Sequence, residues 1–187
     1  LTATPSSGYT FTGWSGDATG PQNPLNVTMD ASKTITARFI PNLPPTLSSI
    51  APQTIDEDAT AAIAVTVDDT ETGAGSVALS STASNPALVP SGNITSDGTG
   101  ANRTLRITPA ANQSGTTTIT VVASDGGLSV TNTFGLTVIP TNDVPTISAI
   151  TDPAIAEDTA TPDIVFTVGD VETAAASLTV AGTSSNT

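Results

Sequence analysis

The sequence predicts an all-β protein made of tandem Greek-key β-sandwiches, and three observations carry that reading. Between residues 45 and 143, six or seven short runs rich in Val, Ile, Leu and Thr are separated by turn residues at a spacing of roughly 8–12 positions. Helix formers other than Ala are scarce, while Thr, Ser, Gly and Pro abound. The chain also repeats itself. Pro45-Thr46-Leu47-Ser48-Ser49-Ile50 returns as Pro145-Thr146-Ile147-Ser148-Ala149-Ile150, and Ile55, Glu57 and Asp58 return as Ile155, Glu157 and Asp158. After a slip of one residue the match resumes, with Ile63, Val67, Asp69, Glu71, Thr72 and Ser76 against Ile164, Val168, Asp170, Glu172, Thr173 and Ser177. A period of about 100 residues is an ordinary domain size.

Composition narrows the chemistry. The 187 residues hold 37% apolar but only 3% aromatic side chains, so the cores must be aliphatic. Seventeen acidic against four basic residues give a net charge of −13, which makes nucleic acid and anionic lipid poor partners, since both need a basic footprint. No cysteine and no histidine are present, which removes disulfides, thiolate chemistry and the usual general base and zinc ligand. The single lysine, Lys33, lies outside the repeats. No run of about 18 apolar residues is present, so no segment is expected to insert in a membrane.

Taken in order, residues 1–40 form a separate unit. Leu1–Pro5 reads as the end of a strand. Gly8–Trp14 reads as a strand with Tyr9 and Phe11 on one face, Leu25–Met29 as a second, and Thr34–Phe39 as a third after a loop at 30–33. This unit holds Trp14, Tyr9 and half of the phenylalanines; a side-by-side Tyr9 and Trp14 could stack on a sugar, whereas so small a unit needs its aromatics as core. Residues 41–44, with Pro41 and Pro44 followed by Pro45, form a stiff extended linker that should not continue a sheet. Residues 45–143 are a complete repeat, with strands expected at 46–50, 61–68, 75–81, 103–108, 115–123 and 129–139, and a short one within 86–95. Ala123-Ser124-Asp125-Gly126-Gly127 marks the hairpin between the last two. Residues 144–187 supply the first three strands of a second, truncated copy, which alone cannot close a sandwich.

Two family resemblances follow. Gly-Tyr-Thr-Phe-Thr-Gly-Trp-Ser-Gly-Asp (8–17), Pro-Leu-Asn-Val-Thr-Met-Asp (24–30) and Lys-Thr-Ile-Thr-Ala-Arg-Phe (33–39) resemble part of the internalin-type B repeat of bacterial surface proteins. That resemblance implies a small β-grasp-like module acting as spacer or adhesive element. Residues 45–187 resemble the cadherin-like and Ig-like tandem repeats of large bacterial adhesins. Asp125-Gly126-Gly127 before the last strand, the linker Asn142-Asp143-Val144-Pro145, the pair Glu57-Asp58 and the word Asp69-Thr70-Glu71 carry it.

In that family calcium sits between consecutive domains. Carried over, the second joint would draw on Glu57, Asp58, Asn142, Asp143, Asp170 and Glu172, and the first joint, with fewer ligands, on Asp69, Glu71 and Asp125. The Asp-Arg-Glu word expected before the turn is missing: Thr108–Gly115 holds no carboxylate, and neither does the first linker. Physical chemistry points the same way. Calcium takes six to eight hard oxygens, and two carboxylates about 4 Å apart repel by roughly 4 kcal/mol at an effective dielectric of 20. Acids gathered at a hinge would splay it unless a cation lay between them.

With no His, Cys, P-loop or Gly-x-Gly-x-x-Gly, catalysis is not expected. The expected function is a structural and adhesive segment of a secreted or cell-surface bacterial protein, a stalk stiffened by calcium. Its expected partners are flanking repeats of the same chain, other surface proteins, or polysaccharide. The alternative is a carbohydrate-binding accessory region of a secreted polysaccharide-degrading enzyme, working through Tyr9 and Trp14.

Overall fold

The computed structural model describes residues 1–184. Every regular element in it is a strand or a single 3-10 turn, and the chain divides into two compact units, Leu1–Ile139 and Pro140–Thr187.

The first unit opens with an antiparallel pair, β1 (Tyr9–Gly16) and β2 (Ile35–Pro41). Its register shifts between Phe11 and Gly13, a bulge that turns Trp14 inward, where its main-chain N–H meets Gly20 O at 2.9 Å. Gly16 closes the strand at φ +98°, and a side chain there would strike the Thr34 carbonyl. Ala3, Trp14 and Leu25 form the small core, flanked by Phe11, Val27, Ile35 and Ala37. Residues 1–5 and 25–29 are extended but are not strands. Leu1 and Leu25 exchange bonds at 2.8 Å, and the Asn23 amide bridges the main chain of Ala3. One pair of main-chain bonds and the Asn23 amide thus stand in for the strands expected there. β2 also runs on into Pro41, at the end of the strand where a missing N–H costs nothing.

Beyond it two four-stranded sheets pack face to face. One has the order β3 (Thr46–Leu47), β5 (Ala61–Asp68), β8 (Asn102–Ile107), β7 (Ile94–Asp97); the other is β4 (Gln53–Asp56), β10 (Ser129–Ile139), β9 (Gly115–Ser124), β6 (Ala78–Ala83). β5 alternates buried and exposed at every position, because Ala61, Ile63, Val65 and Val67 are apolar and the residues between them face water. Val65, Leu105, Ile107, Ile119, Val121, Leu136 and Val138 are at most 2% exposed, and together they form the aliphatic core between the sheets. Such burial is worth about 25 cal/mol per Å² of apolar surface.

Four strands depart from expectation. The first stops at Leu47, where the Ser48 hydroxyl accepts the Thr66 N–H at 3.0 Å. The chain then changes sheets and forms β4, an unexpected strand, parallel to the end of β10. β6 starts late because Ala74–Ser76 makes a 3-10 turn. The short strand falls at 94–97, since Asn85 caps a turn through Ala87 and Leu88 that buries Leu88 and Val89 instead.

Among the described residues of the second unit, β11 (Thr146–Ile147) and β12 (Val168–Gly169) are the strands that pair, rather than three strands. They repeat the β3–β5 pairing: Thr46↔Asp68 and Leu47↔Val67 against Thr146↔Gly169 and Ile147↔Val168. Ser148 binds Thr167 as Ser48 binds Thr66, and Asp58 and Asp158 both stand at φ 61°. In the first copy β5 is held along its length by β8. Among the described residues of the second unit, Val144 and Val165 are 84% and 85% exposed.

Candidate cation loops and the first joint

The word Asp69-Thr70-Glu71-Thr72 follows β5 directly and folds around one carboxylate oxygen. Asp69 Oδ1 accepts the N–H of Glu71 at 3.0 Å, the N–H of Thr72 at 2.6 Å and the Thr72 hydroxyl at 2.8 Å. This is the local turn that an Asp makes when its side chain reaches forward to the next main-chain amides. Asp69 is only 5% exposed, and its other oxygen, Oδ2, is buried with no hydrogen-bond partner, as is Glu71 Oε2. Buried acceptors without donors are rare and costly. The second copy builds the same turn, with Asp170 Oδ1 accepting Glu172 N–H at 3.1 Å and Thr173 N–H at 2.7 Å. There the Glu172 carboxylate accepts the linker N–H of Asp143 at 2.9 Å, and Asn142 donates to Asp143 O at 2.8 Å.

Glu57 lies at the opposite end of the complete sandwich. Its N–H donates to Ile139 O, so it stands where β10 hands the chain to the linker; it is 5% exposed, while Asp58 beside it is exposed and accepts the Asn112 N–H. These four residues of the first unit therefore occupy its two ends, Asp69 and Glu71 at one and Glu57 and Asp58 at the other. Among the described residues no group of three or more acidic side chains closes on a common point. Asp69 and Glu71 nonetheless fit a hard cation in chemistry, since each offers a buried oxygen lacking a proton donor.

Asp125, expected beside them, is engaged otherwise. Its Oδ1 accepts the N–H groups of Gly127 and Leu128, both at 2.6 Å, and its Oδ2 accepts the Asn42 side-chain amide at 2.8 Å. The Leu128 N–H foremost holds the carboxyl below its ordinary range; burial opposes this, and Gly127 and Asn42 add to it. Gly126, at φ +95°, lets the turn close. Asn42 carries no signal of this role in the sequence, although the repeat offset sets it opposite Asn142.

Tyr9 and Trp14 do not share an exposed face. Trp14 is 9% exposed, packs edge-on against Phe11 and donates its Nε1–H to Gln22 O at 2.8 Å. It is core, which corrects its candidacy as a sugar platform. Tyr9 is 50% exposed.

A family model described as a divergent InlB B-repeat domain matches residues 1–43, and one described as a bacterial Ig domain matches residues 42–137. No curated protein matches the chain. Among solved structures, similar chains include one from the titin M10–obscurin-like 1 Ig complex, 17% identical over 52% of this chain and 96% of that chain, with a TM-score of 0.40. Titin domain M7 is 20% identical over 52% of this chain and 96% of that one, TM-score 0.40. The Ig1-2 module of the Drosophila receptor protein tyrosine phosphatase DLAR is 16% identical over 58% and 57%, TM-score 0.38.

Proposed function

This chain belongs to the bacterial Ig domain family through residues 42–137, and from that premise we propose that it is a stretch of non-catalytic stalk in a secreted or cell-surface bacterial protein, stiffened by calcium at the ends of its repeats. The family composition supports the stalk, since a B-repeat precedes an Ig domain and the start of a second copy follows. The observation that supports calcium is the pair of donorless buried oxygens, Asp69 Oδ2 and Glu71 Oε2, in a loop that the sequence makes twice. A cation there would turn an electrostatic cost into cross-linking of the loop, and through it of the sandwich end. Adhesion to other surface proteins or to polysaccharide belongs to the same proposal.

Thermal unfolding of the chain in calcium and in chelator tests it. Calcium at about 100 times its Kd adds about 2.7 kcal/mol to the sandwich, a rise of several degrees in midpoint for a domain this size. Equal midpoints in the two buffers would remove calcium from the function.

A further inference from the structure

Asn42 joins groups that lie far apart in sequence and in different modules. Its main-chain N–H donates to Gly8 O at 2.9 Å, which extends the β1–β2 ladder one rung past Pro41. Its Oδ1 accepts the Thr10 hydroxyl at 2.6 Å. Its Nδ2 donates to Asp125 Oδ2 at 2.8 Å, across 83 positions of sequence. Both ends of one amide are thus used, one on the first module and one on the sandwich.

We infer that Asn42 is a side-chain latch that docks the B-repeat module on the Asp125 turn and holds this joint stiff without a cation. The chemistry selects Asn. A carboxylate at position 42 could accept from Thr10 but would repel Asp125, and an aliphatic side chain could do neither. The next linker residue is Leu43, where the second linker has Asp143, so the first linker brings no acid of its own. Both oxygens of Asp125 are already taken by neutral donors. The turn leaves space for the amide and little more: a Cβ on Gly127 would lie 3.3 Å from Asn42 Nδ2 and 3.5 Å from Asp125 Oδ1. Beside the latch runs an open cleft of about 450 Å³, lined in part by Ser6, Tyr9, Thr72 and Leu128. Contact between the strands of the first module and those of the sandwich is sparse, so one side chain can govern the joint. The inference does not rest on calcium at Asp69, because it concerns the chelated protein.

Backbone ¹⁵N relaxation of the whole chain in chelator tests it. The first module and the sandwich are expected to tumble with one correlation time. In Asn42→Ala they are expected to separate into two shorter ones, with the buried-Trp14 emission and the sandwich melting midpoint unchanged. If Asn42→Ala instead unfolds the first module, as a red shift of Trp14 would show, Gly127→Val, which crowds the latch from the sandwich side, becomes the deciding variant. Modules that tumble independently in the wild-type chelated chain, or together in the deciding variant, would overturn the latch.

Discussion

The Glu57 N–H donates to Ile139 O at 2.9 Å, which fastens a buried acidic residue to the last residue of β10, the final strand of the sandwich. That bond continues the parallel β4–β10 pairing by one rung beyond Asp56↔Ile139. It places Glu57 at the exit of the sandwich by main-chain geometry, independently of what its side chain binds. Glu57→Gln therefore keeps the fold and removes only the charge. In isothermal titration the variant is expected to bind calcium about tenfold more weakly, or about 1.4 kcal/mol, while its midpoint in chelator stays within a few degrees of wild type. Unchanged calcium binding would take Glu57 out of the ligand set.

Asp69 separates a structural role from a metal role within one side chain. Asp69→Ala deletes the oxygen that three donors share and is expected to cost about 2 kcal/mol in urea unfolding, as the loss of a helix or turn cap does. Asp69→Asn keeps an acceptor for those donors and replaces the donorless Oδ2 with an NH₂ group. In chelator it should be as stable as wild type or more so, and calcium should no longer raise its midpoint. A calcium response that survives in Asp69→Asn would place the ion elsewhere.

Leu105 on β8 is 1% exposed and packs between the two sheets. Leu105→Ala is expected to destabilise the sandwich by about 2–5 kcal/mol, with the spread set by how far the cavity collapses. Urea unfolding followed by far-UV circular dichroism measures it, and the buried Trp14 signal, from the other core, should not move with it.

The Asp125 carboxyl is held below its ordinary value by the Leu128 N–H, then by Gly127 and Asn42 against the effect of burial. A depressed folded value means that the turn gains stability wherever the carboxyl is ionised in both states, and loses it as pH falls through the folded value. The Asn42 side-chain amide resonances should therefore stay constant from neutral pH down to about pH 4 and shift only below it. Movement of those resonances between about pH 5 and 7 would mean that another group controls the latch.

Arg103 reaches across β8 to four main-chain carbonyls: Gly98 and Gly100 at 2.8 Å, Ala74 at 3.0 Å and Val77 at 3.3 Å. A planar fork with five donors suits that arrangement and an ammonium does not. Arg103→Lys is expected to lose about 1–2 kcal/mol in urea unfolding, with faster amide exchange over residues 98–103. A loss below a few tenths of a kcal/mol would show that water replaces the guanidinium.

Local pattern made part of this legible. β5 carries its bulky Ile63, Val65 and Val67 at every second position, β10 does the same with Phe134, Leu136 and Val138, and the Asp125-Gly126 turn joins β9 to β10 as its residue types require. β4 was not legible, because Gln53–Asp56 is short and its partner lies some 80 positions downstream in a parallel pairing that no turn announces. Arg103 has the sequence signature of an ordinary surface cation, since its acceptors are main-chain carbonyls, which every residue carries. Asn42 has that of a linker residue. Its role depends on Asp125 lying within 2.8 Å, and sequence separation hides such meetings.

Composition and period settled the class: an aliphatic, β-branched, acidic chain without His or Cys, repeating at about one hundred residues, has no route to a helical or cysteine-stapled fold. They also marked which loops hold the acids. Which oxygen of each acid is already satisfied, and by whom, came from folding alone. A carboxyl group means the same thing in every sequence, but an oxygen left without a donor at Asp69 Oδ2 and one bonded by an amide at Asp125 differ by a few ångströms of long-range packing.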